Sequence, residues 1–192
     1  MLIILVQIAF GQEKIKYQKP PQEILDLVDI TLPPRVRVDY QGVNMILMFK
    51  DRYQSIEDLS DTEMRLAGLR INPDANISSR VEYFKNIHIK KTSEKDSKQI
   101  EGLPEKAKLA NFKWSSDQSK MASAHTSNKG VELWVLDMNT GIVKKLTKAI
   151  MNANIADPYQ WFQDGQSLLV KFIPENRLIS SFRYFLSSPV YR

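Results

Sequence analysis

The chain has no cysteine among its 192 residues, which excludes a disulfide framework, a thiolate metal site and a cysteine nucleophile. Histidine is almost as scarce. His88 and His125 stand in segments that read as strands, neither with a second ligand at metal spacing, so no metal and no cofactor is expected. Gly-x-Ser-x-Gly, the strained turn that presents a nucleophilic serine, does not occur; Gly165-Gln166-Ser167-Leu168-Leu169 fails at its last position. No catalytic residue is assigned within the chain. Blocks of one charge sign are missing too. The net charge is +5, yet even Lys90 to Lys108 carries Glu94, Asp96, Glu101 and Glu105. That stretch reads as a solvated loop, and a nucleic-acid partner is not expected. Only Met1 to Phe10 forms a long apolar run, too short to cross a bilayer as a helix. It suits the core of a secretory signal covering 1–11, with small residues in Ala9-Phe10-Gly11 and cleavage before Gln12; the alternative is a buried first strand. A signal implies a secreted or periplasmic protein with no other membrane anchor.

What is present is an ordinary folding composition, 43% hydrophobic and 26% charged. Within a segment covering 12–34, Pro20 to Val28 predicts a short helix, with proline in its first turn and Ile24, Leu27 and Val28 at helical spacing. From residue 35 onward strand patterns dominate. Lys108 to Trp114 runs into the turn formers Ser115-Ser116-Asp117-Gln118, and a strand over 121–125 follows. Val131 to Leu136 is a strongly β-prone run. Asp137-Met138-Asn139-Thr140-Gly141 then makes a tight hairpin loop into Ile142 to Leu146. Four short antiparallel strands joined by turns describe one propeller blade.

Part of this unit recurs. Phe112-Lys113-Trp114 with Asp117 matches Tyr159-Gln160-Trp161 with Asp164, 47 residues on, close to the length of one blade. A weaker copy stands upstream, with Val38 in the tryptophan position and Gly42 in the glycine position. The expected fold is therefore all-β, an incomplete β-propeller over 35–177 with an insertion at about 53–83. Trp114 and Trp161 read as wedges between neighbouring sheets. Asp117, Asp137 and Asp164 could be carboxylates of a site, but their recurrence in equivalent turns argues for structure. In the insertion, Ser55-Ile56-Glu57-Asp58 and Ser60-Asp61-Thr62-Glu63 both resemble helix starts, the second matching a capping box. Asn76-Ile77-Ser78 matches a glycosylation sequon.

Pro20-Pro21-Gln22-Glu23-Ile24, Arg65-Leu66-Ala67-Gly68-Leu69-Arg70-Ile71-Asn72-Pro73 and Ser79-Arg80 resemble the start of secreted serine peptidases of the prolyl-oligopeptidase family, in its glutamyl-endopeptidase-like branch. The resemblance covers about Tyr17 to Arg177; the tail 178–192 departs from it. It implies an N-terminal β-propeller capping a C-terminal α/β-hydrolase domain that carries a Ser-Asp-His triad, with peptides as substrates. Neither that domain nor its triad is legible here, so the chain reads as an inactive N-terminal portion of such an enzyme. The competing expectation is a non-enzymatic periplasmic propeller that binds proteins. Arg65, Arg70 and Arg80 are the candidate substrate-binding residues, because a guanidinium fork is the natural partner of a substrate carboxylate.

Overall fold

Pairing of main-chain groups organises the chain into small antiparallel sheets, seen in a computed structural model that describes residues 18–175. The apolar opening and the 178–192 tail lie outside the described residues. The described residues divide into two compact units, with the boundary between Thr31 and Leu32. In the first, α1 (Gln22–Val28) follows Pro21, and Gln22 Nε2 donates to Asp26 Oδ1 one turn on, at 2.7 Å.

In the second unit, a four-stranded sheet has the order β1 (Arg35–Val38), β2 (Asn44–Phe49), β6 (Asn86–Lys91), β7 (Lys98–Gln99). Between β2 and β6 come α2 (Ile56–Ser60) and a separate three-stranded sheet: β3 (Met64–Leu66), β4 (Leu69–Asn72) and β5 (Ile77–Ser78). Next is a second four-stranded sheet, β8 (Leu109–Trp114), β9 (Lys120–Ser127), β10 (Gly130–Asp137) and β11 (Val143–Lys145). The hairpin β12 (Tyr159–Trp161) and β13 (Leu168–Val170) follows it. The protein is mostly β, and among the described residues the sheets do not close into a ring.

The second sheet is covered on both faces. Met121, Leu136, Leu109 and Phe112 pack against Ile46, Met48, Phe84 and Ile87 of the first sheet's side. Ala122, Ala124, Val131 and Leu133 pack against Tyr159 and Trp161. That explains why β9 is buried along nearly its whole length, polar Ser123, His125 and Thr126 included: a strand between two sheets cannot alternate. Trp114 packs against the first cluster and Trp161 belongs to the second, in different sheets.

Three hairpins share one geometry. Val38 pairs with Met45, Trp114 with Met121 and Trp161 with Leu168, seven residues apart each time. In each turn the first residue's N–H reaches the carbonyl five residues on: Asp39 to Asn44, Ser115 to Lys120, Phe162 to Ser167. The fourth position has positive φ, occupied by Gly42, Gln118 and Gly165 at +69°, +58° and +62°. Gln118 bears this strain while its Oε1 accepts the Tyr40 N–H at 2.8 Å. A Cβ on Gly165 would stand 3.0 Å from the Asp117 carboxylate. The three turns therefore touch in sequence.

Neighbouring side chains also seal the free edge of β8. A bulge interrupts the pairing of β8 with β9 between Ala110 and Lys113. Arg37 Nη1 donates to Phe112 O at 2.8 Å, Tyr159 Oη to Asn111 O, and Trp161 Nε1 to Lys113 O at 3.0 Å. At the opposite rim, Glu101 exchanges main-chain bonds with Gly141 and Val143, each 2.9 Å. Gly102, at φ +91°, lets the chains approach: a Cβ there would lie 2.7 Å from Val143 O. Gly102→Ala is expected to cost about 2 kcal/mol from the backbone strain alone, measured by thermal melting.

Two expectations are corrected here. Ser60-Asp61-Thr62-Glu63 starts no helix; α2 ends at Ser60, and Asp61 turns extended at ψ 139°. The capping box belongs to Ser55 and Asp58, whose side chains each accept the other's backbone N–H. The stretch Lys90 to Lys108 is not all solvated loop, since it contains β7 and buries Ile100 and Ala107.

Candidate functional site

The insertion between β2 and β6 gathers the charged residues that the sequence singled out. β3 and β4 form a tight hairpin in which Arg65 stands opposite Arg70, with Ala67 and Gly68 at its tip in positive φ. β5 pairs with β4, Ile71 opposite Ser78, which brings Ser79 and Arg80 alongside. The focus of all three strands is Glu63, just before β3. Its Oε1 accepts from Arg65 Nε at 2.9 Å and Arg70 Nη1 at 2.8 Å. Its Oε2 accepts from Ser79 Oγ at 2.7 Å and pairs with Arg80 Nε at 3.5 Å.

Arg65, Arg70 and Arg80 are thus brought together, around a carboxylate of the chain itself. Sequence reasoning did not single out Glu63 for this role. It stood only as a capping residue, and the competing partners, Ser79 and Arg80, are remote in sequence. The local signal that was there is Glu63-x-Arg65, an acidic and a basic residue two apart at a strand's start, where both side chains point to one face.

The hydrogen bond from Ser79, then that from Arg65 and the charge of Arg70, hold the Glu63 carboxyl down at about 2, against an ordinary value of 4.5. A carboxylate depressed by folding adds stability that is fully present above its unfolded value, and that stability is lost as pH falls through the folded one. The Arg65 Nε–H resonance is therefore expected to hold its position from pH 7 to about pH 4.5 and to move only as pH approaches about 2; an NMR titration measures it. Movement centred near 4.5 would mean that the cluster does not persist in solution.

A groove adjoins the cluster. Two clefts of about 270 and 260 Å³ lie along α2, and Arg80 and Tyr83 wall both. Asp58, at the junction, is ion-paired to Lys108. The remaining candidates of the sequence lie elsewhere. Asp117, Asp137 and Asp164 each accept backbone N–H groups of their own turns, as does Asp39. His88 is in β6 beside Ser97, with Nδ1 to Oγ 3.1 Å. His125 is buried in β9, its Nδ1 3.4 Å from Glu132 Oε2. Among the described residues no group of acidic and histidine side chains forms a metal site, and no helix is long and apolar enough to cross a membrane. Asn76 of the sequon is buried at φ +58°, so a glycan cannot be attached in the folded chain.

No family model matches the chain. It is 29% identical over 174 residues to the Probable glutamyl endopeptidase, chloroplastic, of Arabidopsis thaliana, and 29% over 175 residues to the protein so named in Oryza sativa subsp. japonica. This chain is similar to a stretch of a peptidase. Each alignment covers 84% of this chain and 18% of the relative, so the chain spans less than a fifth of the curated relatives it matches. Among solved structures, the acylaminoacyl peptidase of Pyrococcus horikoshii aligns over 75% of this chain and 17% of its own, with 17% identity and a TM-score of 0.40.

Proposed function

We propose that the chain is part of a serine peptidase of the prolyl-oligopeptidase family, similar to the glutamyl endopeptidases and acting after acidic residues. In this reading the two four-stranded sheets and the β12–β13 hairpin open an N-terminal β-propeller. The propeller caps an α/β-hydrolase domain that supplies the nucleophile, base and oxyanion hole, and admits short or unfolded peptides to it. The observation that carries the reading is similarity to two peptidases over 84% of this chain. Exposed apolar residues on the outward faces support it: Val36 and Val38 on one side of the stack and Leu169 on the other suit further sheets in both directions. The Met1 to Phe10 run supports a secreted or periplasmic enzyme.

A fluorophosphonate probe, which labels activated serines, tests this. The 192-residue chain takes no label, and the longer protein that contains it takes one and cleaves after glutamate in preference to alanine. Labelling of the short chain, or a longer protein that binds no probe, would overturn the proposal.

A further inference from the structure

The insertion between β2 and β6 leaves two apolar surfaces uncovered. α2 buries none of its residues, and Ile56 and Leu59, three apart and so on one face, are 86% and 68% exposed. At the β3–β4 tip Leu66 pairs with Leu69, and they are 54% and 39% exposed. Both central residues of that turn, Ala67 and Gly68, have positive φ, +47° and +85°. Asn-Gly or Asp-Gly is the usual pair in such a turn, because a short polar side chain tolerates the left-handed conformation; alanine is strained there. A Cβ on Gly68 would meet no atom within 4 Å, so the tip projects into open space. The turn thus accepts backbone strain and carries no polar side chain from 66 to 69, which is the composition of a contact surface and not of a solvated loop.

Each surface also has its own charge. Beside the helix face, Glu57 has no ion pair among the described residues, the partner of Asp61 is the neutral Asn72 Nδ2 at 3.3 Å, and only Asp58 is offset, by Lys108. Two carboxylates are left over at α2. At the hairpin, Arg65, Arg70 and Arg80 surround the single carboxylate of Glu63, which leaves an excess of two positive charges. Only Asp61, Thr62 and Glu63 separate α2 from β3 in the chain, yet neither element covers the other's leucines.

We infer that the insertion is a self-complementary interface that pairs the chain with a second copy of itself, the hairpin tip of each copy lying on the α2 face of the other. The charges select a second copy as the occupant. A two-fold axis brings the acidic helix of one protomer to the basic hairpin of its partner, and the reverse, and so covers both apolar surfaces at once. An anionic lipid surface would suit the hairpin but would be repelled by the acidic helix next to it. The interface uses none of the outward residues Val36, Val38 and Leu169, and it stands apart from the peptidase reading. With four apolar side chains from each copy at its centre, it belongs to the small, reversible class.

Sedimentation velocity of the 192-residue chain is expected to show a monomer–dimer equilibrium that shifts with concentration. Leu69→Asp and Ile56→Asp each weaken the dimer at least about tenfold, because a buried apolar group gives way to a charge. Glu57→Arg and Arg65→Glu each weaken it about fivefold, since the symmetry repeats the like-charge contact. An equimolar mixture of those two variants dimerises as the wild type does, each meeting its opposite charge on both sides of the axis. An Arg65→Glu chain that had lost its fold could not be rescued in this way. No native cysteine competes, so Leu59→Cys and Leu69→Cys chains, mixed under mild oxidation, form the mixed disulfide well beyond its statistical share. A chain that stays monomeric, or a mixture no tighter than its separate variants, would overturn the inference. A disulfide between Val38→Cys and Leu169→Cys chains in place of the one between positions 59 and 69 would also overturn it, by assigning association to the outward sheet faces. So would a monomer that sediments with phosphatidylglycerol vesicles and ceases to do so in Leu69→Asp, because the tip would then belong to lipid.

Discussion

Trp161→Ala is expected to cost about 3 to 5 kcal/mol and to free the β12–β13 hairpin from the second sheet. The indole is buried in the cluster that joins these two elements, and its Nε1 donates to Lys113 O at 3.0 Å. Truncation removes the packing, opens a cavity beside Tyr159 and leaves a main-chain carbonyl of β8 without its donor. A two-stranded hairpin is only marginally stable alone, so the loss should be local before it is global. Hydrogen exchange reads this directly. The amides paired between Tyr159 and Val170 lose protection, while those of β9 and β10 keep it. Trp161→Phe keeps a six-membered ring but loses both the donor and the volume of the five-membered ring, and is expected to fall between wild type and Trp161→Ala, at about 2 kcal/mol. A Trp161→Ala loss under about 1 kcal/mol would mean that the hairpin is held by other contacts.

Glu132→Ala is expected to cost a comparable amount, about 3 to 5 kcal/mol, because it removes the acceptor at the centre of a buried network. Glu132 is buried in β10. Its Oε2 takes Trp134 Nε1 at 2.9 Å and faces His125 Nδ1 at 3.4 Å, while its Oε1 takes Lys145 Nζ at 3.3 Å. Without it the indole N–H and the imidazole stay in the interior with nothing to bond. Burial is the largest single influence on the Glu132 carboxyl and opposes its ionisation. The hydrogen bonds from Trp134, Lys145 and His125 together outweigh burial and bring its pKa below the ordinary 4.5. The stability it supplies is thus fully present above pH 4.5 and declines as pH falls through the lower folded value. Urea unfolding at pH 7 and at progressively lower pH should show the wild-type and Glu132→Ala chains converging in acid. A constant gap across that range would remove the carboxylate from the explanation.

Hairpins were the most legible part of this chain, and for a local reason. Asp39, Asp117, Asp137 and Asp164 bond backbone N–H groups a few residues on, so the turn chemistry is written within its own segment. The aromatic repeat led to Trp114 and Trp161, and the pairing register aligns them with Val38. The length of β9 was less legible. Only 121–125 read as strand, whereas Lys120–Ser127 forms it, since Ser123 and Thr126 look solvent-facing until both faces of the second sheet are seen to be covered. The arginines of the candidate site stood out individually, but their centre did not. Glu63 offered a capping-box match to Ser60, and only the pairing of β3, β4 and β5 delivers the Ser79 and Arg80 that claim its carboxylate instead. Local grammar lost to partners supplied by tertiary structure.

Arg37, Tyr159 and Trp161 act on β8 as crosspins, each fastening an adjacent layer to its peptide oxygens. Apolar layers alone could glide over one another at little cost, but pinned layers cannot. Pulled along the strand direction, the stack would have to break all three fastenings at once; pulled at right angles, it would unzip one layer at a time from an end. The fold is mechanically anisotropic, stiff in one direction and weak in the other.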